Sequence, residues 1–265
     1  RRPPAALPVT RARLECRAMG PLRAAFLLLA LAAAPAGAAE GLWLTWDECV
    51  LDPAAPHNRN SPCLGNLNGQ DLYCAFQMPF PVDSVLGVDI VVDIQHAAPV
   101  LPSWWQFAPE SCRAGQLRVS FDFSTNSFCT DFWFGNGVGG LQGYYQGEPR
   151  GGASQARIKV AGAVLPGFGY RQLTASDVYY AARLTITNAH TVDPAGCPGC
   201  ADPACLVLNS IAIRRQPGAD GGDVFLQTPG AGNGNFATWQ GGSGADCTAV
   251  PVRTVTWGRV KSLYR

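Results

Sequence analysis

Three kinds of side chain in this sequence have types and spacings that could do chemistry: cysteines, loop aromatics and a few grouped carboxylates. Cys197-Pro-Gly-Cys200-Ala-Asp-Pro-Ala-Cys205 puts three thiols on a proline-broken loop, with Cys247 further on. Four thiolates can hold zinc or an iron–sulfur cluster, but this spacing matches neither a zinc ribbon nor a ferredoxin run. Disulfides suit these residues better. Cys49, Cys63, Cys74, Cys112 and Cys129 also follow the apolar N-terminal stretch, and cysteines of an exported chain pair in an oxidising compartment. Nine is odd, so one thiol is left over. Cys74 lies in the apolar run Leu72-Tyr-Cys-Ala-Phe76, where a thiol packs as a small hydrophobe, and it is the expected free cysteine. The provisional pairing joins Cys49 to Cys63 and Cys112 to Cys129, with Cys197, Cys200, Cys205 and Cys247 pairing among themselves.

The aromatics Trp104, Trp105, Phe107, Phe132, Trp133, Phe134, Tyr144 and Tyr145 fall in or beside loops. Flat rings with a polar edge suit stacking on sugar faces or anchoring a protein interface. The competing role is to plug the open ends of a β-sandwich, where such rings bury large areas. Trp104, Trp105, Trp133 and Tyr145 form the candidate ligand-binding set. Glu110, Asp131 and Glu148 lie near these aromatics in the chain and are the candidate acids of a glycan hydrolase.

Asp220-Gly-Gly-Asp223, with Asp193 and Asp202, offers oxygen ligands that suit calcium, the one cofactor the sequence suggests. Aspartates in turns also bond their own backbone. His57, His96 and His190 form no pair on one element, and no His-Glu-x-x-His, Walker A or dinucleotide fingerprint occurs. Gly241-Gly-Ser-Gly-Ala245 lacks the final glycine of a nucleophile elbow. No residue is assigned a catalytic role.

The elements that must position these groups begin after a leader. Residues 1–18 lack methionine and read as upstream translation. Residues 19–39 read as a signal peptide: a short basic start, the apolar run 24–34, then small residues for cleavage. That run is too short to span a bilayer. Without the leader, 14 basic residues face 18 acidic ones, a formal net of −4, and only Lys159 and Lys261 are lysines. No basic run remains to hold nucleic acid, and no second apolar run is long enough to cross a membrane. Residues 40–265 are expected to form a single domain, secreted, periplasmic or on the cell surface.

Within it the sequence reads as strands. Val88, Ile90, Val92 and Ile94 alternate with Asp89 and Asp93, the pattern of a strand with one buried face. Strands are also expected over 42–46, 71–77, 117–123, 156–161, 178–187, 206–213, 224–227 and 252–263. The glycine-rich stretch 135–152 reads as one large loop. Short strands, Gly/Pro turns and no convincing helix predict an all-β fold, a jelly-roll-like β-sandwich stapled by disulfides.

Thr45-Trp-Asp-Glu-Cys49, Leu101-Pro-Ser-Trp-Trp105, the Cys-x₂-Cys-x₄-Cys cluster and the ending Thr256-Trp-Gly-Arg-Val-Lys-Ser-Leu-Tyr-Arg265 carry a resemblance. The chain resembles a family of uncharacterised secreted, cysteine-rich bacterial proteins known mainly from environmental sequences. The resemblance implies export in a bacterium and brings no activity with it. The expected function is therefore a non-catalytic extracellular or surface module with a structural or interaction role. The alternatives are a carbohydrate-binding module using the loop aromatics and a secreted glycan-active hydrolase. A glycan or a cell-surface protein is the expected partner.

Overall fold

The computed structural model describes residues 40–248, except 53, 125–128, 193 and 233. The expected leader, the strand expected over 252–263 and the calcium candidate Asp193 lie outside the described residues.

Among the described residues, twelve strands build two sheets. The smaller has the order β1-β3-β9-β5: β1 Gly41–Trp46, β3 Gly69–Gln77, β9 Val178–Thr187 and β5 Leu117–Ser120. The larger runs β2-β12-β10-β4-β7-β6: β2 Asn58–Arg59, β12 Phe236–Trp239, β10 Ala204–Arg215, β4 Val82–His96, β7 Gln155–Val164 and β6 Gly137–Gln146. β8 (Arg171–Leu173) adds to β4 and β11 (Val224–Leu226) to β10. Every pairing is antiparallel except β12 with β2. The all-β, disulfide-rich class expected from the sequence holds.

Alternation fixes which face goes inward. Val88, Ile90, Val92 and Ile94 of β4 are buried in the core and pair across β7 with Gly162, Val160, Ile158 and Ala156. Facing them, Leu42, Leu44 and Trp46 of β1 pair with Phe76, Cys74 and Leu72 of β3. Stretch 178–187, whose leading Asp177 also suits a helix cap, is a strand, as its β-branched and aromatic residues favour.

Aromatic rings fill both ends of the core. At one end Trp104 lies 4.8 Å from Trp105 and 5.0 Å from Trp239, and Trp46 lies 5.6 Å from Trp239. At the other, Trp133 lies 4.4 Å from Phe132 and 5.0 Å from Phe121.

The glycine-rich stretch is a correction. Half of it is β6, hydrogen-bonded along its length to β7. Gly135, Gly147 and Gly151 still serve turns, with positive φ, but glycines inside the hairpin serve packing. A Cβ on Gly137 would lie 2.7 Å from both Phe121 and Trp133, and one on Gly162 would overlap Phe121 and lie 2.8 Å from Trp133. Small residues there let the two rings, packed edge to face, approach the sheet backbone closely.

The disulfide pairing is a second correction. Cys49 joins Cys129, Cys63 joins Cys200, Cys112 joins Cys197 and Cys205 joins Cys247. Only the last stays within the late group. Neighbours in these sheets are distant in sequence, so loops that share an end of the sandwich supply the partners. The Trp104 amide donates to Pro198 O, and the Gln240 side chain donates to Ser61 O, drawing the 100s, 190s and 60s loops together. Three of the bridges close loops of 80 residues or more, where cross-links restrict the unfolded chain most. Cys74 is free and buried between sheet neighbours Leu44 and Ala182, as expected.

Candidate binding groove

The outward face of the larger sheet carries the polar half of each alternating strand. Register aligns Ala161, Asp89 and Ala212 in one row, and Lys159, Val91 and Ser210 in the next. Alanines and the outward Gly140 and Gly143 keep the floor low. The result is an open groove of about 410 Å³ lined by Asp89, Lys159, Ser210, Arg214, Phe225 and Gln227. It adjoins a second depression of about 430 Å³ between Leu86, Gly87, Val138 and Ala163.

Tyr145 lies beside the groove on β6, with its ring across Gly143: a Cβ there would lie 2.5 Å from the tyrosine Oη. Lys159 Nζ lies 4.3 Å from the ring centroid. Phe225 of β11 lines the opposite side, with the Arg214 guanidinium 5.7 Å from its ring. Both rings keep solvent-facing area, 40% for Tyr145 and 44% for Phe225. Between them stand the amides of Gln142 and Gln227 and the hydroxyl of Ser210.

The charges of the groove are matched. Arg214 donates from Nε to Asp89 and from Nη1 to Asp223, each at 2.7 Å. Burial works to raise the Asp223 carboxyl, but the Arg215 amide and the Arg214 guanidinium outweigh it and hold the group below its ordinary value. Lys159 lies 3.8 Å from Glu148. At the next row Arg157 grips Asp93 through two hydrogen bonds of 2.7 and 2.8 Å, and the Asn209 amide donates to the same carboxylate. Burial pushes the Asp93 carboxyl upward, and these donors pull it back. The pair anchors β4, β7 and β10 beneath that end of the face.

The structure separates the four aromatic candidates. Trp104, Trp105 and Trp133 are fully buried, with Trp104 Nε1 donating to Thr191 Oγ1 and Trp133 Nε1 to Ala181 O. No face of these rings reaches a ligand. They plug the sandwich ends, and only Tyr145 of the set lies on the outer sheet face.

The carboxylate candidates are not gathered either. Asp131 accepts from the Trp133 and Gly135 amides and caps a turn before β6, whereas Glu148 follows β6, whose ten residues span about 30 Å. Glu110 lies in a separate turn with φ 68°. At the calcium candidates, both Asp223 oxygens accept from Arg214 and Arg215, and Asp220 O accepts from Arg215. Guanidinium groups stand where a cation's charge would go, and Asp223 and Asp220 are tied to the sheet by them. Among the described residues no group of three or more His, Cys, Asp or Glu is placed to hold a metal ion.

Arg214, Phe225 and Gln142 escaped the sequence reading. The outward positions of β4 were visible as Asp89 and Asp93, but their neighbours on β10 and β11 follow only from strand order.

No helix among the described residues is long and apolar enough to cross a membrane. Comparison with known protein families, curated proteins and solved structures finds no match for this chain.

Proposed function

We propose that the chain is an exported, non-catalytic binding module that takes a carbohydrate chain along the groove of the larger sheet. The observation that carries this reading is the pairing of two exposed rings, Tyr145 and Phe225, beside a floor of amide, hydroxyl and charged groups. Sugars present apolar faces to rings and hydroxyls to such groups. Four disulfides support passage through an oxidising compartment, in keeping with the secreted bacterial family the chain resembles. Hydrolysis is not part of the proposal, because Asp89 and Asp223, the carboxylates beside the groove, are both held by Arg214.

The test is a polysaccharide and glycan screen on the oxidised protein by affinity electrophoresis and calorimetry, with Tyr145→Ala and Phe225→Ala alongside. Intrinsic tryptophan emission is a poor reporter, since Trp104, Trp105, Trp133 and Trp239 are buried. Saturable binding weakened in both variants supports the groove. No binding across the screen, or binding indifferent to both substitutions, overturns it.

A further inference from the structure

The groove runs across the strands rather than along one of them. Phe225 of β11, Ala212 of β10, Asp89 of β4, Lys159 of β7 and Gln142 of β6 all line it. β10 pairs both β4 and β11 through Ile211, Ala212 and Ile213, so β11 lies on its far edge. The local order is therefore β11-β10-β4-β7-β6. At the usual spacing of neighbouring strands, the outer two stand about 19 Å apart. The exposed rings sit on those outer strands, Phe225 on β11 and Tyr145 on β6. Between them the register of β6 slips. Leu141 pairs with Val160 and Gly143 with Lys159, so Gln142 is an extra residue without a partner on β7. A bulge of this kind re-aims a side chain. Gln142 is exposed and lines both the groove and the adjoining depression. The cations beside it are already engaged. Arg214 bonds Asp89 and Asp223, and Lys159 lies beside Glu148, which sets three carboxylates against two cations.

We propose that the ligand of this groove is an extended, uncharged oligosaccharide lying across the strands. It stacks on Phe225 at one end and on Tyr145 at the other, and Gln142 reads the hydroxyls of the units between. This inference rests on the carbohydrate reading and adds to it a chain length, an absence of charge and a specificity-determining residue. The length follows from the strand count: a disaccharide covers about half of the span between the outer strands and can stack on one ring only. The absence of charge follows from the ion pairs. An acidic sugar would find no cation to itself and an excess of carboxylates around it. Gln142 follows from the bulge, which places an amide, donor and acceptor together, between the two rings. Lys159 rests 4.3 Å from the Tyr145 ring centroid, but its side chain is 41% exposed and its ion pair with Glu148 is 3.8 Å long. Such a surface contact costs little to displace.

Calorimetric titration of the oxidised protein with cello-, manno-, xylo- and N-acetylchito-oligosaccharides tests it, each as disaccharide and hexasaccharide, with oligogalacturonate as the acidic counterpart. In a series that binds, the hexasaccharide is expected to bind about tenfold more tightly than the disaccharide, the worth of a second stacked ring. Tyr145→Ala and Phe225→Ala should each shrink that advantage, and oligogalacturonate should not bind. Gln142→Ala should weaken the hexasaccharide about three- to tenfold, the loss of one or two hydrogen bonds. A disaccharide that binds as tightly as the hexasaccharide, with both ring variants weakened, overturns this inference and leaves the carbohydrate reading standing. So does tighter binding of oligogalacturonate, or a Gln142→Ala variant indistinguishable from the wild type. Absence of binding in every neutral series overturns the inference too and, with an empty glycan screen, the carbohydrate reading as well.

Discussion

Arg157 holds both carboxylate oxygens of Asp93 at 2.7 and 2.8 Å on the outward face of a sheet, and Asp93 is fully withdrawn from water. A charge so placed is tolerated only with its partner, because removing one member leaves the other buried and uncompensated. Asp93→Ala or Arg157→Ala is therefore expected to destabilise the fold by about 3–5 kcal/mol. The double variant Asp93→Leu/Arg157→Met is expected to lose much less than the sum of the two. Urea denaturation of the three proteins checks this. Additive single effects would show that the two side chains do not act as a pair.

The Arg214–Asp223 link predicts an acid dependence with a definite sign. The folded carboxyl of Asp223 lies below its ordinary value, so the unfolded chain takes up its proton first as pH falls. The link's contribution is present above about pH 4 and is lost as pH drops through the lower, folded value. Unfolding free energy measured between neutral and strongly acidic pH should fall less steeply in Asp223→Asn than in the wild type. Parallel curves would remove Asp223 from the acid response.

Glycines on the two sides of the same hairpin are expected to respond oppositely to a methyl group. Gly162→Ala drives a Cβ into Phe121 and Trp133, and overpacking of this kind costs about 1–3 kcal/mol. Gly140→Ala faces open space in an ordinary strand conformation and should be neutral or stabilising, since alanine restricts the unfolded chain. Thermal unfolding of the two variants decides it. Equal effects would mean that the rings do not pack on Gly162 as described.

That contrast also explains what the sequence could convey. β4 was legible because its inward Val and Ile alternate with outward Asp, a local period that one buried face imposes. β6 was not, since its inward Gly137 and Gly139 pack against Phe121 and Trp133, which lie outside the strand. Cys74 was legible from its apolar neighbours alone. The Cys63–Cys200 bridge spans 137 residues and follows from strand order, which no local pattern encodes. The same limit governs the groove. Tyr145 could be named from its type, but its distinction from Trp104, Trp105 and Trp133 is burial. Phe225 and Arg214 meet Asp89 only because β10 lies between β4 and β11.

Arg113 gives the sharpest test of how the tryptophan end of the core is built. It is fully buried and its guanidinium has no carboxylate partner among the described residues. Instead it lies 4.1 Å from the Trp104 ring centroid and donates to Trp104 O and Thr187 O. Burial pulls its proton affinity down to about 9, still charged at neutral pH. Arg113→Met keeps the volume and removes the buried charge, but leaves two carbonyls without that donor, an expected cost of about 1–3 kcal/mol. Arg113→Lys keeps the charge on a compact, strongly hydrated ammonium that cannot lie flat on Trp104 or reach both carbonyls with one planar fork. Lysine is therefore expected to destabilise at least as much as methionine, by denaturant titration at neutral pH. If lysine preserved stability and methionine did not, charge alone would be what this position requires, and the stacked, forked geometry would be incidental.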